Sequence, residues 1–122
     1  MCGILLQVGN LISDDDFKFQ LKRLSHRGPD NLGVYLNKNN QLALGHTLLS
    51  IQGEGEVTNQ PSFDKSKRFC IIFNGEIYNH LELRKSFDLD INNESNSDTE
   101  TIVQLISKIG VIETIKNIDG MY

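Results

Sequence analysis

The order of strand and helix patterns restricts the fold of this chain more than any other feature of its sequence. Apolar segments with the composition of strands gather in the first part of the chain, and apolar residues at helical spacing dominate the last part. The strand patterns lie at 1–9, 33–36, 41–49 and 68–73, and the helix patterns lie at 13–24, 81–87, 97–109 and 111–118. We expect the first strand to be short and buried. Strands gathered before most of the helices favour a layered α+β domain over an alternating βαβ series.

Bulk composition narrows the class of protein. The chain has 122 residues, enough for one hydrophobic core, and its 39% hydrophobic and 23% charged residues are typical of globular proteins. The net charge of −4, with no basic cluster larger than a pair, argues against a nucleic-acid partner. No apolar run reaches the roughly 18 residues of a membrane helix, and the N-terminus lacks an export signal. We therefore predict no membrane association and a cytoplasmic location, where Cys2 and Cys70 stay thiols.

Local signals predict where helices and turns begin and end. Ser13, followed by three aspartates, predicts the start of the first helix, and Gly28-Pro29 predicts its end. Residues 37–40 have the composition of a hairpin turn. The segment Gln52–Lys67 predicts a surface loop, and Ser97-Asp98-Thr99-Glu100 has the pattern of a capping box.

Cys2 is the residue with the sharpest chemical meaning. A small residue after the initiator methionine permits removal of Met1, which leaves a free α-amine and a thiol on one residue. An α-amine has an unperturbed pKa of about 7.7 to 8.0, so it can take the thiol proton and later protonate a leaving group. Taken alone, Cys2 has a plainer alternative, in which Met1 is retained and the cysteine has no catalytic role.

Four further positions carry groups suited to substrate or oxyanion binding. Asn74 and Gly75 follow an apolar strand and offer a side-chain amide beside a backbone N–H, the pair that an oxyanion hole requires; as a bare dipeptide they are also an ordinary turn. Glu76 and Asp98 are acceptors for a substrate ammonium group, although first-turn helix electrostatics explains Asp98 equally well.

The remaining charged and metal-binding residue types point to no further site. The turn from Arg27 to Asp30 carries two charges, for which a salt-bridged helix terminus is the simplest explanation. The three histidines lack metal-ligand spacing with either cysteine, and Asp88–Asn92 lacks the glycine and glutamate of a calcium loop. No phosphate-binding loop occurs, so we expect no metal and no ATP chemistry in this chain.

Seven motifs together resemble the class II glutamine amidotransferases, and among them the glutaminase domain of the asparagine synthetases. Their order and spacing span the whole chain. They are Met1-Cys2-Gly3-Ile4, Arg27-Gly28-Pro29-Asp30, Leu44-Gly45-His46-Thr47, Gln60-Pro61, Asn74-Gly75-Glu76-Ile77-Tyr78-Asn79, Ser97-Asp98-Thr99-Glu100 and Gly120-Met121. The Asn-Gly-Glu-Ile-Tyr-Asn run points to the asparagine synthetases over the sugar-phosphate and purine amidotransferases.

The resemblance implies a fold and a mechanism. The fold would be an N-terminal-nucleophile (Ntn) hydrolase αββα sandwich, with residues 1–122 as the N-terminal part of a type 2 amidotransferase domain that is incomplete at its C-terminus. Cys2 would attack the carboxamide of glutamine and form a γ-glutamyl thioester, with Asn74 and Gly75 as the oxyanion hole. Glu76 and Asp98 would hold the α-ammonium group, while Arg27 and Asp30 would serve substrate binding.

The resemblance also implies partners. Glutamine is the expected substrate, and a synthetase domain or subunit that uses ATP and magnesium would receive the ammonia to form asparagine from aspartate. This chain would itself carry no cofactor. A homodimer stays open, because the sequence does not fix the oligomeric state. The alternative is a truncated or degenerate asparagine synthetase-like domain that lacks catalysis and acts as an interaction or regulatory module.

One position departs from the family pattern. The family usually has arginine in Gly-His-Thr-Arg-Leu-Ser-Ile, and that arginine binds the α-carboxylate of glutamine, whereas this chain has Leu48 there. The resemblance therefore implies weaker glutamine binding, unless Arg27 or Arg68 replaces the missing charge.

Overall fold

The computed structural model describes residues 2–50, 59–91 and 97–122. The chain divides into two compact units, which we name unit 1 (Met1–Pro61 with Ile72–Asn74) and unit 2 (Ser62–Ile71 with Gly75–Tyr122). In the described residues the secondary structure is mixed, with helices and antiparallel sheets in agreement with the predicted α+β class. No helix in this part of the chain is long and apolar enough to cross a membrane.

Unit 1 is built on a three-stranded antiparallel sheet. Its strands are β1 (Gly3–Val8), β2 (Asn31–Asn37) and β3 (Leu42–Leu48), in the order β1-β3-β2. The predicted hairpin is confirmed: β2 and β3 pair directly, and the Asn37 side chain accepts a hydrogen bond from the Asn40 amide within the turn (3.1 Å). The central strand β3 is thereby held on both sides.

Helix α1 (Asp14–Lys22) begins where the sequence predicts and ends earlier. The Ser13 hydroxyl accepts a hydrogen bond from the Asp16 amide (3.1 Å), which confirms the N-cap. The predicted end at Gly28-Pro29 is wrong, because the α-helix stops at Lys22 and short turns follow. The Leu24 carbonyl accepts hydrogen bonds from the Arg27 amide (2.9 Å) and the Thr47 hydroxyl (3.2 Å), so a contact with β3 replaces the helical pattern.

The core of unit 1 lies between α1 and one face of the sheet. Phe17 and Leu21 of α1 are buried, and a side chain at Gly45 of β3 would meet Leu21 at 2.8 Å, so the absence of a Cβ there lets the helix approach. The expectation of a fully buried first strand is wrong, because alternate residues of β1 are exposed. These are Ile4, Leu6 and Val8. They lie on a strand at the edge of this sheet and alternate with residues that are less exposed.

Unit 2 contains three helices and two short β-ribbons in the described residues. The helices are α2 (His80–Ser86), α3 (Asp98–Ile109) and α4 (Val111–Asn117); the ribbons pair β4 (Ser62–Phe63) with β5 (Cys70–Ile71) and β6 (Glu76–Ile77) with β7 (Gly120–Met121). The Ser97 hydroxyl accepts from the Glu100 amide (3.2 Å), which confirms the predicted cap of α3. The buried apolar residues of this unit include Ile77, Leu83, Ile102, Val103 and Leu105.

The segment before β5 differs from its prediction. The predicted loop 52–67 lies partly outside the described residues, and within it Ser62–Phe63 forms strand β4. The Asp64 carboxylate explains the hairpin, since it accepts hydrogen bonds from the Phe69 amide (2.6 Å) and from the Ser107 hydroxyl of α3 (2.9 Å). Burial alone would raise the pKa of Asp64, but hydrogen bonds from Ser66, Phe69 and Ser107 lower it. The predicted strand 68–73 is shorter in the structure, where β5 covers Cys70–Ile71. Its first residues belong instead to the turn in which the Phe69 amide donates to Asp64.

Candidate active site

Cys2 lies immediately before β1 and is half-buried, and the peptide group that joins it to Gly3 is held by two hydrogen bonds. The Arg27 Nε donates a hydrogen bond to the Cys2 carbonyl oxygen (3.0 Å). The amide of the next residue, Gly3, donates to the Thr47 hydroxyl (3.1 Å). Because Gly3 is also paired with Thr47 in the sheet, the backbone of Cys2 is fixed relative to the end of β3. This placement suits a nucleophile that must meet its substrate in one orientation.

Thr47 is a site residue whose individual role the sequence did not reveal. It is fully buried, and its hydroxyl accepts from Gly3 while donating to the Leu24 carbonyl oxygen (3.2 Å). Thr47 therefore links β3 to β1 and to the turn after α1. The only sequence signal was its position within the Leu44–Thr47 motif.

The turn from Arg27 to Asp30 folds against the end of β3. A side chain at Gly28 would overlap the Thr47 carbonyl, so only glycine permits this approach. The Asp30 amide donates to the Leu48 carbonyl (3.0 Å), and the Asp30 carboxylate accepts from the Ser50 amide (2.7 Å). Among the residues that the structure describes, Arg27 forms no ion pair. Arg27 and Asp30 thus fix backbone around Cys2, and the simple explanation of a salt-bridged helix terminus is not what the structure has.

Leu48 is the last residue of β3 and is half-buried. Gly3 pairs with Thr47 in the antiparallel register, so the register continued by one residue would place Leu48 opposite Cys2. The position where the family pattern has an arginine is therefore level with the candidate nucleophile. No charge is available from Leu48 itself for a substrate carboxylate.

Asn74 is half-buried and ends the 72–74 segment of unit 1. The residue before it, Phe73, donates its amide hydrogen to the Gln60 Oε1 (2.6 Å). His46 is buried, and burial lowers its pKa although the nearby Phe73 backbone acts in the opposite direction. The backbone leading into Asn74 is therefore held by the Gln60 side chain of unit 1. Gly75, which follows, is exposed.

Glu76 and Asp98 are neighbours within unit 2. The Asp98 carboxylate accepts hydrogen bonds from the Ile77 amide (2.9 Å) and from the Thr99 amide (2.6 Å). It therefore joins strand β6, which starts at Glu76, to the first turn of α3. Glu76 itself is exposed. Two carboxylates thus lie near one another at this end of unit 2, an arrangement suited to a cation such as an ammonium group.

Two basic side chains lie beside these carboxylates, and neither was singled out from the sequence. Burial and the positive charge of Arg84 lower the pKa of His80, whereas Asp98 and Glu76 act in the opposite direction. Arg84 is buried and donates to the Thr101 hydroxyl (2.8 Å) and to the Ser97 carbonyl (2.7 Å). Arg84 therefore braces the start of α3. In the sequence, Arg84 was only a polar residue within a predicted helix, and nothing indicated this role.

Cys70 and Arg68 of unit 2 are poorly suited to a role at this site. Burial raises the pKa of Cys70 to about 11, so this thiol is a poor nucleophile at neutral pH. Arg68 donates to the Ser107 carbonyl (3.1 Å) and lies 4.6 Å from the centroid of the Phe69 ring. No group of three or more His, Cys, Asp or Glu with the arrangement of a metal site occurs in residues 2–50, 59–91 and 97–122.

Comparison with known proteins identifies a family over the whole chain. The sequence model described as "Glutamine amidotransferase domain" matches residues 1–122. The putative asparagine synthetase [glutamine-hydrolyzing] 2 of Methanocaldococcus jannaschii is 34% identical over an alignment that covers 100% of this chain and 27% of the relative. Asparagine synthetase [glutamine-hydrolyzing] 1 of Arabidopsis thaliana is 37% identical, with coverage of 100% and 21%.

A relative with a different name, an aminotransferase, also matches. The glutamine--fructose-6-phosphate aminotransferase [isomerizing] of Streptococcus pyogenes is 29% identical, with 100% of this chain and 26% of the relative aligned. This chain thus spans between 21% and 27% of the length of the three relatives. The shared portion is the amidotransferase domain.

Proposed function

The chain belongs to the glutamine amidotransferase domain family, and on that premise we propose that it hydrolyses glutamine to glutamate and ammonia, with Cys2 as the nucleophile after Met1 is removed. The observation that carries the proposal is that the peptide group joining Cys2 to Gly3 is held at both its oxygen and its nitrogen. Arg27 holds the Cys2 carbonyl, and Thr47 holds the amide that follows it. A residue at the very start of a mature chain is ordinarily mobile, so such restraint supports a role that needs fixed geometry.

The proposed chemistry uses one residue as nucleophile and base. The free α-amine of Cys2 takes the thiol proton while Sγ attacks the side-chain carboxamide carbon of glutamine. The tetrahedral intermediate collapses, its C–N bond breaks, and the ammonium group of Cys2 returns the proton to the departing ammonia. Water, deprotonated by the same amine, then attacks the γ-glutamyl thioester. This step releases glutamate and restores the thiol.

Asn74 and Gly75 are the proposed donors to the oxyanion of both tetrahedral intermediates. The Asn74 side-chain amide and the Gly75 backbone N–H would each donate a hydrogen bond to this oxygen. Removal of one such donor in other acyl-transfer enzymes costs about 10²- to 10³-fold in kcat. We expect an Asn74→Ala variant to fall in this range.

The substrate-binding roles follow from charge. We propose that Glu76 and Asp98 attract the α-ammonium group of glutamine. Asp98 also accepts two backbone amides, which keeps its carboxylate in place. Arg27 and Asp30 contribute by fixing the backbone of Cys2 and of the Leu48–Ser50 segment. We propose that both also serve substrate binding from these fixed positions.

We further propose the Ntn hydrolase αββα sandwich as the fold and residues 1–122 as the N-terminal part of a type 2 amidotransferase domain. The ammonia acceptor would be a synthetase domain or subunit that makes asparagine from aspartate with ATP and magnesium. Two of the three relatives described carry an asparagine synthetase name. Leu48 is the observation that favours the second candidate, a degenerate domain that acts as an interaction or regulatory module.

The test is a glutaminase assay on the purified chain with two matched cysteine variants. Mass spectrometry first establishes that Met1 is absent. We expect Cys2→Ala to abolish glutamate production and Cys70→Ala to retain it, because only the first removes the nucleophile. Full activity in Cys2→Ala would show that Cys2 is not the nucleophile. An inactive chain that is folded and free of Met1 would favour the module without catalysis.

A further inference from the structure

We infer that Gln60 is a positioning residue for the oxyanion hole: its side-chain oxygen fixes the backbone of Phe73 and, through it, the position of the Asn74 side chain. This inference rests on the proposed role of Asn74. Gln60 would thus affect the stability of the transition state through Asn74, without touching the substrate.

The Gln60 side chain is placed to do this. It is buried, and its Oε1 accepts the Phe73 amide hydrogen at 2.6 Å, a short distance for an N–H···O bond. The bond is partly buried, so a Phe73 amide without this acceptor would be poorly compensated by water, and the bond favours one backbone position for Phe73. Because Asn74 is the next residue, its Cα moves with that backbone.

The segment that carries Gln60 is itself fixed on strand β2. A Cβ at Gly33 would overlap the Gln60 carbonyl oxygen, which shows that the two backbones are in direct contact. The Asn31 side chain also donates a hydrogen bond to the side chain of Asn59. Gln60 is therefore a rigid support, and Gly33 is the residue that makes the close approach possible.

Strand β3 lies close to Phe73. The buried His46 of this strand is near enough to the Phe73 backbone for that backbone to affect the pKa of the imidazole. Phe73 therefore lies beside His46 while Gln60 holds its amide. A displacement of about 1 Å at a catalytic group can reduce the rate about 10²-fold, so a support of this kind matters for an oxyanion donor.

The expected kinetic signature is a loss of kcat with little change in KM, because the oxyanion exists only in the transition state. Gln60→Met removes the acceptor while keeping a side chain of similar length. We expect kcat to fall at least about tenfold, with an upper limit of about 10³-fold set by complete loss of one oxyanion donor. Gln60→Glu keeps a side-chain oxygen that can accept the Phe73 amide, so it should recover most of the activity.

The experiment compares these variants with Asn59→Ala in the full chain. Asn59 lies on the same segment, and its side chain accepts a hydrogen bond from Asn31, whereas the Phe73 amide bonds to Gln60. Its variant therefore controls for a general loosening of that segment. Each protein is assayed for kcat and KM with glutamine and for the rate of Cys2 alkylation by iodoacetamide, a displacement that forms no oxyanion. The side-chain amide signal of Asn74 is recorded by ¹⁵N NMR, which reports its position independently of activity.

The inference is supported if Gln60→Met loses kcat, alkylates Cys2 at the unaltered rate and shifts or broadens the Asn74 signal, while Asn59→Ala, which keeps the Gln60 acceptor, has a much smaller effect on kcat and on the Asn74 signal. It is overturned if the Asn74 signal stays in place, or if Gln60→Met lowers kcat and alkylation equally. If the chain without substitutions is folded and free of Met1 but has no glutaminase activity, the proposed function is refuted. The NMR comparison still decides in that case whether Gln60 positions Asn74.

Discussion

Replacing Leu48 with arginine should strengthen glutamine binding if the chain uses the pocket that its family resemblance implies. The position is suited to the change because Leu48 is only half-buried and ends a paired strand. Its backbone is already fixed by the Asp30 amide, and the Asp30 carboxylate holds Ser50 beyond it. A longer side chain can therefore extend from Leu48 without displacing the strand.

The size of the effect follows from the environment of the new contact. A fully exposed ion pair contributes about 0 to 1 kcal/mol, whereas a hydrogen bond to a charged group in a partly desolvated site contributes about 1.5 to 3 kcal/mol. The half-buried position and the bidentate geometry of arginine with a carboxylate support the second range. Since about 1.4 kcal/mol corresponds to a factor of ten, Kd for glutamine should fall about tenfold to a hundredfold.

The assay is calorimetric titration of glutamine into chains that also carry Cys2→Ala, so that binding is measured without turnover. Leu49→Arg is the matched control, because it adds the same charge one residue away on a side chain that is also half-buried. A Kd that is unchanged in Leu48→Arg, or that falls equally in both variants, would refute the assignment of position 48 to the α-carboxylate.

Three other predictions concern stability and reactivity. Thr47→Val should lower the free energy of unfolding by about 1 to 3 kcal/mol in urea titrations, because the buried Gly3 amide loses its acceptor. Thr114→Val is the control and should have a smaller effect, because the Gly110 carbonyl still accepts a hydrogen bond from the Thr114 amide. With a pKa of about 11, Cys70 is about one-thousandth thiolate at pH 8, so peptide mapping should find it alkylated far more slowly in the folded chain than after denaturation. The lowered pKa of His46 means that the unfolded chain binds more protons below about pH 6.5; the free energy of unfolding should therefore decrease from pH 7 to pH 5.5, and His46→Gln should reduce that slope.

Signals that depend on neighbouring residues were reliable in this sequence. The Ser13 and Ser97 caps, and the hairpin around residues 37–40, were predicted because each needs only a few adjacent residues in a characteristic order. The family was predicted through the motifs, and the family match over the whole chain confirms it; the site around Cys2 stays a prediction.

Features that depend on contacts distant in sequence were not predictable. The end of α1 is set by the Thr47 hydroxyl at the Leu24 carbonyl, a contact across 23 positions. Strand β4 exists because Asp64 accepts hydrogen bonds within its turn and from Ser107, 43 positions away. No periodicity carries this information, so a polar stretch was read as a loop. The same limit hid the role of Gln60, whose partner Phe73 is 13 positions away.

The most direct test of the account is intact-mass analysis of the purified chain after exposure to a diazo-ketone analogue of glutamine, with and without competing glutamine. We predict a single adduct on Cys2 of a chain that has lost Met1, and we predict that glutamine protects against it. Such a result requires both an activated thiol and an assembled glutamine pocket despite Leu48. A folded chain that lacks Met1 and forms no adduct, or forms one that glutamine does not prevent, would contradict glutamine hydrolysis at Cys2.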